Sequence, residues 1–374
     1  MRGTVIKRGS GYSVVLDLGK APDGKRIRKW HSGYQTKKDA ERAQVELLAK
    51  ADQGAYVEPS KRTIGPFLRE DWLPGLRSQV RPSTWSEHRS KVEVHLVPAI
   101  GHMPLQRLAP GHLNAVYADL LERGLSARTV LHVHATIRRA LADATRWGLV
   151  PRNVALLASP PRPSRTELRV WTATDLRAFL AFVEDDRLYA LWLLAASTGM
   201  RRGELLGLQW PDVDIARARV AVRRSLVTVG HQVVVSEPKT AKGRRWVALD
   251  PATVAGLKAW RKHQTAERLA WGPAWTDSGL VFTREDGRPL HPREVTRAFT
   301  RHVLAAELPI IRLHDLRHTH ATLALAAGIH PKIVQERLGH ANIAITLDTY
   351  SHAVPALEEQ AARTVAALVF GGGG

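Results

Sequence analysis

A proline-rich stretch in the middle of the chain constrains its folding more than any other feature. Residues 158–165 read Ala-Ser-Pro-Pro-Arg-Pro-Ser-Arg and contain three prolines. Prolines so close together favour an extended backbone and prevent a continuous helix. The chain of 374 residues is also longer than an ordinary single domain. We therefore expect a linker over 159–166 with separately folded regions on either side.

Residues 1–60 have the pattern of a small sheet followed by a helix. The helix is predicted from the capping-box spacing of Thr36 and Asp39 and continues to about Asp52. Short alternating runs predict three strands, at Thr4–Lys7, Tyr12–Leu18 and Arg26–Trp30. The third strand and its turn are rich in cations: Lys25, Arg26, Arg28 and Lys29. A basic β-ribbon can enter a DNA major groove, so these four residues are candidate DNA contacts.

Residues 19–25 also match most of a phosphate-binding loop. That motif needs Ser or Thr next, and Arg26 stands there instead. It also needs a helix to follow, whereas a strand is predicted here. A hairpin turn is therefore the better interpretation of this segment.

Residues 61–158 have apolar residues at helical spacing and predict a small all-α domain. Ser126 is the expected N-cap of its last helix. That helix carries Arg138, Arg139 and Arg146, which we take as further candidate DNA contacts. Nothing in this region has the pattern of a catalytic motif.

The region after the linker, 167–374, is predicted to be mainly helical with a small sheet. Thr172 and Asp175 form another capping box, and Leu188–Thr198 is an apolar helix too short to span a bilayer. Helices are expected to dominate after Pro292. Strands are predicted at Arg219–Val229, Gln232–Ser236 and Arg245–Leu249. The fold class expected for the whole chain is therefore multidomain α+β.

Charge points to a polyanionic partner. Lys and Arg number 55 against 35 Asp and Glu, a formal net charge of +20 spread over all three regions. Such a balance is typical of proteins that surround a nucleic-acid duplex. The chain has no cysteine, which excludes disulfides, thiol nucleophiles and Cys-based metal sites. The first residues lack an apolar leader, so we expect a cytoplasmic protein without membrane contact.

The residues with catalytic potential concentrate after the linker. Two arginines, two histidines, a lysine and a tyrosine suit phosphoryl transfer, because guanidinium forks grip phosphate oxygens and tyrosine is a covalent nucleophile. These residues occur in the order Arg201, Lys239, His314, Arg317, His340 and Tyr350.

Four segments in this order resemble the motifs of the tyrosine recombinases, the phage integrase family. They read TGMRRGELLGLQWPDVD, PKTAKGRRWVAL, HDLRHTHAT and LGHANIAITLDTYSH, within residues 198–352. The first two regions also resemble the arm-site-binding and core-binding domains of such integrases. The resemblance implies integration and excision of a mobile element through a Holliday junction, without cofactor, metal or ATP.

The resemblance also implies a role for each residue. Tyr350 would attack the scissile phosphate and form a 3′-phosphotyrosyl link, while Arg201 and Arg317 hold the non-bridging oxygens. Lys239 would protonate the leaving 5′-oxygen, with Lys242 as a rival. His314 would assist proton transfer, His340 would hydrogen-bond the phosphate, and Glu204 would orient Arg201. Lys242 and Arg244 are also candidate DNA contacts.

Other interpretations remain open from the sequence. Singly, Arg201 could cap the preceding helix, Lys239 could be a solvated hairpin lysine and Tyr350 could be a core residue. His314 and His318, with His340, also have a spacing that suits a zinc hydrolase, although Asp315 replaces the usual Glu. A DNA-binding protein without catalysis, or a Xer-like resolvase, would fit the charge as well.

The end of the chain is predicted to form an amphipathic helix. Its apolar residues recur at helical spacing: Leu357, Ala361, Val365 and Leu368. The helix could pack on its own domain. The family resemblance instead implies an exchange helix that docks on a neighbour in a homotetramer on double-stranded attachment sites, core and arm. A DNA-bending host factor and an excision directionality factor are further partners that the resemblance suggests.

Overall fold

The protein forms two compact units, Met1–Arg165 and Thr166–Gly374, and their boundary falls at the end of the proline-rich stretch. No helix among the described residues is both long and apolar enough to cross a membrane. The computed structural model describes residues 2–20, 24–52, 56–164, 168–230, 232–236, 244–340, 342–343, 347, 362–363, 365–367 and 369–370.

The first unit begins with an antiparallel sheet and one helix, as predicted. The sheet has the strand order β1-β2-β3, and Val14 and Leu16 of the central strand pack on Ala40 of the helix. The Thr36 hydroxyl accepts a hydrogen bond from the Asp39 backbone N–H at 3.1 Å, so the predicted cap is confirmed. The elements are β1 (Arg2–Arg8), β2 (Gly11–Lys20), β3 (Arg26–Tyr34) and α1 (Lys37–Asp52). Arg26 begins a strand and not a helix, which argues against a phosphate-binding loop.

The rest of the first unit is helical, also as predicted. The Ser126 hydroxyl caps its last helix by accepting from the Thr129 N–H at 3.2 Å. Inside the core, the Trp72 indole N–H donates to the Asp143 carboxylate at 2.8 Å. The helices are α2 (Ile64–Pro66), α3 (Leu73–Arg77), α4 (Pro82–Lys91), α5 (Val97–Ile100), α6 (Pro110–Glu122) and α7 (Ala127–Arg146), with 3₁₀ turns at Leu105–Arg107 and Val154–Leu157.

Two π-helical turns, Phe67–Trp72 and Val92–Leu96, interrupt these helices. Each turn is followed by one residue and then a proline, Pro74 or Pro98. A proline ring clashes with the carbonyl four residues earlier, and a wider turn relieves that clash. The two turns therefore let prolines sit inside otherwise continuous helical segments.

The second unit is mainly helical with two small sheets. One sheet has the order β4-β5-β8 and the other is the hairpin β6-β7. The helices are α8 (Ala173–Phe182), α9 (Tyr189–Thr198), α10 (Arg202–Leu206), α11 (Pro251–Trp271), α12 (Pro292–Ala305), α13 (Asp315–Ala326) and α14 (Pro331–Leu338). The strands are β4 (Val213–Asp214), β5 (Arg219–Val222), β6 (Ser225–Val229), β7 (Gln232–Ser236) and β8 (Arg245–Ala248). Two 3₁₀ turns lie at Trp210–Asp212 and Gly272–Ala274.

The structure corrects one prediction in this unit and adds a helix that was not predicted. The expected strand Arg219–Val229 is two strands in different sheets, interrupted at Arg223 and Arg224. The side chains of Arg223 and Arg224 both form ion pairs with the buried carboxylate of Asp212. The alternation of apolar and polar residues along the sequence does not reveal these ion pairs. Helix α11, the longest helix among the described residues, was not predicted from the sequence.

Helix α9 lies at the centre of the second unit. Eight of its ten residues are buried, which suits a segment that is apolar on every side. The aromatic rings of Trp171, Phe179, Trp192 and Phe299 pack together around it. This packing fixes the position of the C-terminal end of α9, where the first of the catalytic motifs begins.

Candidate active site

Two helix C-termini meet at the centre of the candidate site. Helix α9 is followed by Gly199 and α14 by Gly339, both in the left-handed conformation with φ of +62° and +67°. A Cβ on Gly199 would lie 2.7 Å from Cδ2 of Leu338, so only glycine fits this close approach. The last carbonyls of a helix lack helical partners and carry the negative end of its dipole. The junction is therefore a natural site for cations.

Arg317 of α13 joins the two helix ends. Its side chain is buried, and its two terminal nitrogens donate to Gly199 O at 2.8 Å and Leu338 O at 2.7 Å. Arg317 and Gly199 are 118 residues apart in sequence. The backbone thus holds this guanidinium in a fixed orientation.

Arg201 lies two residues beyond Gly199, at the start of α10. Its guanidinium donates to Gly339 O at 3.4 Å and to the Glu204 carboxylate at 2.8 Å. The side chain remains 40% exposed, so part of the fork faces solvent. Arg201 and Arg317 therefore bind neighbouring carbonyls, Gly339 O and Leu338 O, at the end of α14. Arg201 thus binds the end of α14, whereas the alternative interpretation has it capping α9.

Glu204 is almost fully buried and binds two arginines. Arg245, at the start of β8, donates to Glu204 Oε2 at 2.9 Å, and Arg201 donates to Oε1. Burial alone would raise the pKa of Glu204, but the hydrogen bond and charge of Arg245, together with the charge of Arg201, lower it. Glu204 is therefore an ionised anchor rather than a proton donor at neutral pH.

His314 and His340 complete the described part of the site. Loss of solvent around the ring, together with the charges of His318, Arg317 and Arg201, lowers the pKa of His314 to about 4, although the residue keeps an exposed surface. Burial, Arg317 and Arg201 lower the pKa of His340 to about 3. Both imidazoles are therefore neutral at physiological pH in the DNA-free protein.

The arrangement is suited to binding a phosphodiester. The guanidiniums of Arg201 and Arg317 present N–H donors from fixed positions. Among the described residues, the carboxylate of Glu204 accepts hydrogen bonds from Arg201 and Arg245. Neutral imidazoles beside them can accept or share a proton. Over the described ranges, no group of three or more His, Asp or Glu side chains could hold a metal ion, so the zinc interpretation gains no support.

Three predicted residues cannot be placed in this geometry. Lys239 and Lys242, between β7 and β8, and Tyr350, beyond α14, lie outside the described residues. The structure therefore brings together Arg201, Glu204, His314, Arg317 and His340. The positions of the other three remain predictions.

The basic strand β3 does not present all of its cations on one face. The register pairs Arg28 with Asp17, whereas Lys29 pairs with Leu16, whose side chain packs toward α1. Lys29 also forms an ion pair with Glu58 at 2.6 Å, and Arg26 forms one with Asp17 at 3.4 Å. Lys25 and Arg28 are exposed, as is Trp30 on the Arg28 face of the strand.

One of the predicted cations of α7, Arg139, lies near residues of α4 that were not predicted as DNA contacts. Arg138 and Arg146 are exposed, Arg139 is partly buried, and Arg146 pairs with Asp143. Burial lowers the pKa of His88, and the charges of Arg139 and Lys91 also lower it, because both cations lie close to this ring. On the same helix as His88, the guanidinium of Arg89 lies 5.6 Å from the ring of Trp85.

Arg244 lines a cleft of about 690 Å³ beside the small sheets of the second unit. Arg223, Arg224 and Trp246 contribute to the same cleft. The guanidinium of Arg219 lies 4.0 Å from the ring of Trp246, which is 47% exposed. The cleft thus combines cations with an exposed aromatic ring, a combination typical of surfaces that bind nucleic acids.

Sequence reasoning missed Arg245, His320 and Arg337 as parts of the site. Arg245 shares the inward face of β8 with the apolar Val247, so strand alternation could have identified it as buried. His320 and Arg337 bind carbonyls at the end of α9. No local pattern reveals contacts between residues so far apart in sequence.

Comparisons with known proteins identify the family. Residues 169–356 match the phage integrase family, 5–51 match an Arm DNA-binding domain, and 67–121 match the N-terminal SAM-like domain of phage integrases. The chain therefore belongs to the phage integrase family, the tyrosine recombinases, and is an enzyme of the class that breaks and rejoins DNA.

Individual relatives cover nearly the whole chain. An integrase of Streptomyces ambofaciens is 31% identical over 91% of this chain and 88% of its own. A tyrosine recombinase XerC-like protein of Caldanaerobacter subterraneus is 27% identical over 96% of this chain and 97% of its own.

Solved structures share the fold. The Tn1549 transposon integrase in complex with a circular intermediate DNA has a TM-score of 0.67 at 21% identity and covers 80% of this chain and 99% of its own. A lambda integrase tetramer bound to a Holliday junction has a TM-score of 0.60 at 17% identity and covers 91% of this chain and 92% of its own.

Proposed function

We propose that this recombinase integrates and excises a mobile DNA element at attachment sites, with Arg201 and Arg317 holding the scissile phosphate. The observation that carries the proposal is the placement of both guanidiniums on adjoining carbonyls at the end of α14. Preorganised donors of this kind stabilise the charge of a phosphoryl-transfer transition state. Arg201 and Arg245 share one described carboxylate, Glu204, while the guanidinium of Arg317 binds backbone carbonyls beside them. This excess of cations among the described residues favours an anion with two non-bridging oxygens.

In the proposed reaction, the Tyr350 oxygen attacks the phosphorus and the bond to the 5′-oxygen breaks. The tyrosine proton passes to His314, whose lowered pKa leaves a neutral imidazole available to accept it. Lys239 donates a proton to the leaving 5′-oxygen. The strand stays attached as a 3′-phosphotyrosine, so the reverse attack by a 5′-hydroxyl rejoins DNA without an added energy source.

The remaining site residues bind or orient. His340 donates a hydrogen bond to the phosphate, and Glu204 orients Arg201 while Arg245 holds Glu204 in place. Binding of an anion raises the pKa of a neighbouring imidazole, because a negative charge favours its protonated form. The site thus becomes better matched to the phosphate once DNA is bound.

The domain roles follow the same proposal. Residues 1–60 bind arm sites, 61–158 bind core sites, and 167–374 carry out catalysis, with 159–166 as the linker. The match of 5–51 to an Arm DNA-binding domain favours integration over the Xer-like alternative. Arg28, the basic surface of α4 and α7, and the cleft at Arg244 are the candidate DNA contacts. The protein works on DNA in the bacterial cytoplasm, where a bending factor and a directionality factor assist it.

Assembly into a homotetramer on DNA is part of the proposal. The described residues of the C-terminal segment are exposed, including Val365 at 57%, Val369 at 66% and Phe370 at 82%. Exposed apolar side chains on one short segment favour burial against another surface. We assign that surface to a neighbouring protomer, which gives the segment the role of an exchange helix. Tetrameric assembly is known for a structural neighbour, the lambda integrase tetramer bound to a Holliday junction.

The direct test is Tyr350→Phe. The variant loses only the nucleophilic oxygen, so it should bind a core-site duplex with unchanged affinity and form no covalent protein–DNA adduct. Adducts are measured by denaturing electrophoresis with a nicked suicide duplex that prevents religation. The unmodified protein should form them in EDTA, since no metal takes part in the proposed step. Adducts formed by the Phe variant would refute the assignment of Tyr350.

A further inference from the structure

Two side chains outside the proposed catalytic set connect the helix ends that carry the site. Arg337 of α14 donates from its Nη2 to Ser197 O at 2.9 Å, and His320 of α13 contacts Ala196 O through its Nδ1 at 3.1 Å. Arg337 Nε also lies 3.2 Å from His320 Nε2. Helix α9 is thus tied at its end to both α13 and α14.

The chemistry of these contacts fixes the protonation state of His320. An arginine Nε–H can only donate, so His320 Nε2 must accept. The proton of the neutral ring therefore sits on Nδ1 and is donated to Ala196 O. Burial, with the nearby charge of Arg337, lowers the pKa of His320 to about 4, in agreement with a neutral ring.

Arg337 also begins the run of carbonyls that holds the arginines of the site. Its own carbonyl accepts from Arg245 Nε at 2.6 Å. The next two carbonyls accept from Arg317 and Arg201. The side chain of Arg337 meanwhile grips α9, the helix that leads directly into Arg201. One residue thus joins the helix that leads into Arg201 to the helix whose end carbonyls hold both guanidiniums.

We propose that Arg337 and His320 are positioning residues, a brace that fixes the end of α9 against α14 and so aligns Arg201 with Arg317. Neither residue contacts the phosphate in this account. The inference rests on the proposed phosphate-holding role of the two arginines and extends it to the residues that align them. Without the brace, Ala196 O and Ser197 O lose their side-chain partners and α9 can shift relative to α14.

The first experiment measures single-turnover cleavage of a suicide core-site duplex. Arg337→Met and His320→Leu should slow cleavage tenfold to a hundredfold, since displacement of a catalytic group by about 1 Å has costs of this order. His320→Gln should retain most of the rate, because its amide supplies the same donor and acceptor. DNA affinity should change by less than about twofold in all three variants.

Arg187→Met is the matched control. Arg187 also donates to a backbone carbonyl of the same unit, Thr283 O at 3.0 Å, and pairs with Glu267 away from the site. It should lose stability in urea unfolding without a comparable loss of cleavage rate. If Arg187→Met slows cleavage as much as Arg337→Met at equal stability, the brace is refuted as a specific device.

A double-mutant cycle separates positioning from general stability. If Arg337 acts through Arg201, adding Arg337→Met to Arg201→Ala should slow cleavage by less than about threefold further. Full multiplication of the two defects would overturn the proposal. If Arg201→Ala alone cleaves normally, the phosphate-holding role fails. If it is defective while Arg337→Met cleaves normally, only the brace fails.

Discussion

The arginines of the catalytic unit and the cations of the N-terminal sheet are held in opposite ways. Arg317 is 2% exposed and its guanidinium is fixed by two backbone carbonyls. Arg28 and Lys25 are exposed on or beside a strand, and Arg26 and Lys29 pair with surface carboxylates. Buried carbonyls hold a guanidinium in one fixed position, which suits the binding of a single phosphate. Exposed cations can adjust to a DNA backbone, but the affinity they provide falls as the salt concentration rises. The contrast is consistent with the proposed roles, catalysis for the second unit and arm-site binding for the N-terminal sheet.

Removing the N-terminal sheet should abolish integrative recombination and leave cleavage of the core site intact. Deletion of residues 1–56 keeps the bonds of Gln106 with Glu58 and Ser60, so the helical domain stays intact. We expect normal cleavage of a core-site duplex and no detectable integrative recombination between full attachment sites, measured by product formation in vitro. Normal integration by the shortened protein would show that the sheet is not an arm-site reader.

Replacing an arginine of the site should have the next largest effect. Arg317→Ala and Arg201→Ala should each slow cleavage by at least about a hundredfold, the scale of losing a preorganised donor. Arg317→Lys should not restore the rate, because an ammonium cannot reach two carbonyls and a phosphate as a fork does. Binding in a gel-shift assay should weaken far less, since many other cations hold the duplex. If either alanine variant cleaves at the wild-type rate, the replaced arginine does not hold the scissile phosphate.

A pair of adjacent substitutions in β3 tests the register of the sheet. Arg28→Ala should weaken arm-site binding about fivefold and reduce the salt dependence of binding by about one phosphate contact. Lys29→Ala should have a smaller effect, because Lys29 already pairs with Glu58. Fluorescence anisotropy over a range of salt concentrations measures both. A larger loss for Lys29→Ala would mean that the opposite face of the strand meets DNA.

The pH dependence of stability is the smallest expected effect. The pKa values of His314 and His320 are lowered to about 4 and that of His340 to about 3, against an ordinary value near 6.5. The unfolded chain therefore binds more protons below pH 6.5, so stability falls as the pH drops from about 6.5 toward 4.

Urea unfolding should show this loss as about 1–2 kcal/mol for each of His320 and His340 between pH 6.5 and 5, with exposed His314 contributing least. His340→Gln should flatten the dependence. A free energy of unfolding that rises on acidification in this window would contradict the neutral state of these rings.

Local structure and the described residues of the site were largely predictable from the sequence, whereas the contacts that hold the site together were not. The caps at Thr36, Ser126 and Thr172 depend on neighbours three residues away, and all three are confirmed. The break at Arg223 and Arg224 depends on Asp212, a buried partner that alternation cannot reveal. Helix α11 was missed although its Asp250 cap, bonded to the Thr253 N–H at 3.0 Å, follows the same local rule.

The site itself shows why sequence patterns stop short. Arg201 and Arg317 were selected by their motifs, but their common attachment to the end of α14 depends on tertiary packing. Arg337 lies outside the four motifs and His320 lies inside one of them, but neither role could be predicted, because each is defined by the carbonyls of α9 that the side chain meets. Residues that touch the reacting atoms can be identified from type and order, whereas residues that align them emerge only with the fold.

The central claim is that Arg201 and Arg317 neutralise charge on a single phosphate, and a substrate with a neutral scissile linkage tests it most directly. A methylphosphonate replaces one non-bridging oxygen with an uncharged methyl group and so removes the charge that the arginines balance. Cleavage by each arginine variant is compared with wild type on this substrate and on ordinary DNA. The account predicts that the hundredfold defect of Arg201→Ala or Arg317→Ala shrinks to within about tenfold on the neutral linkage. An equal defect on both substrates would contradict it.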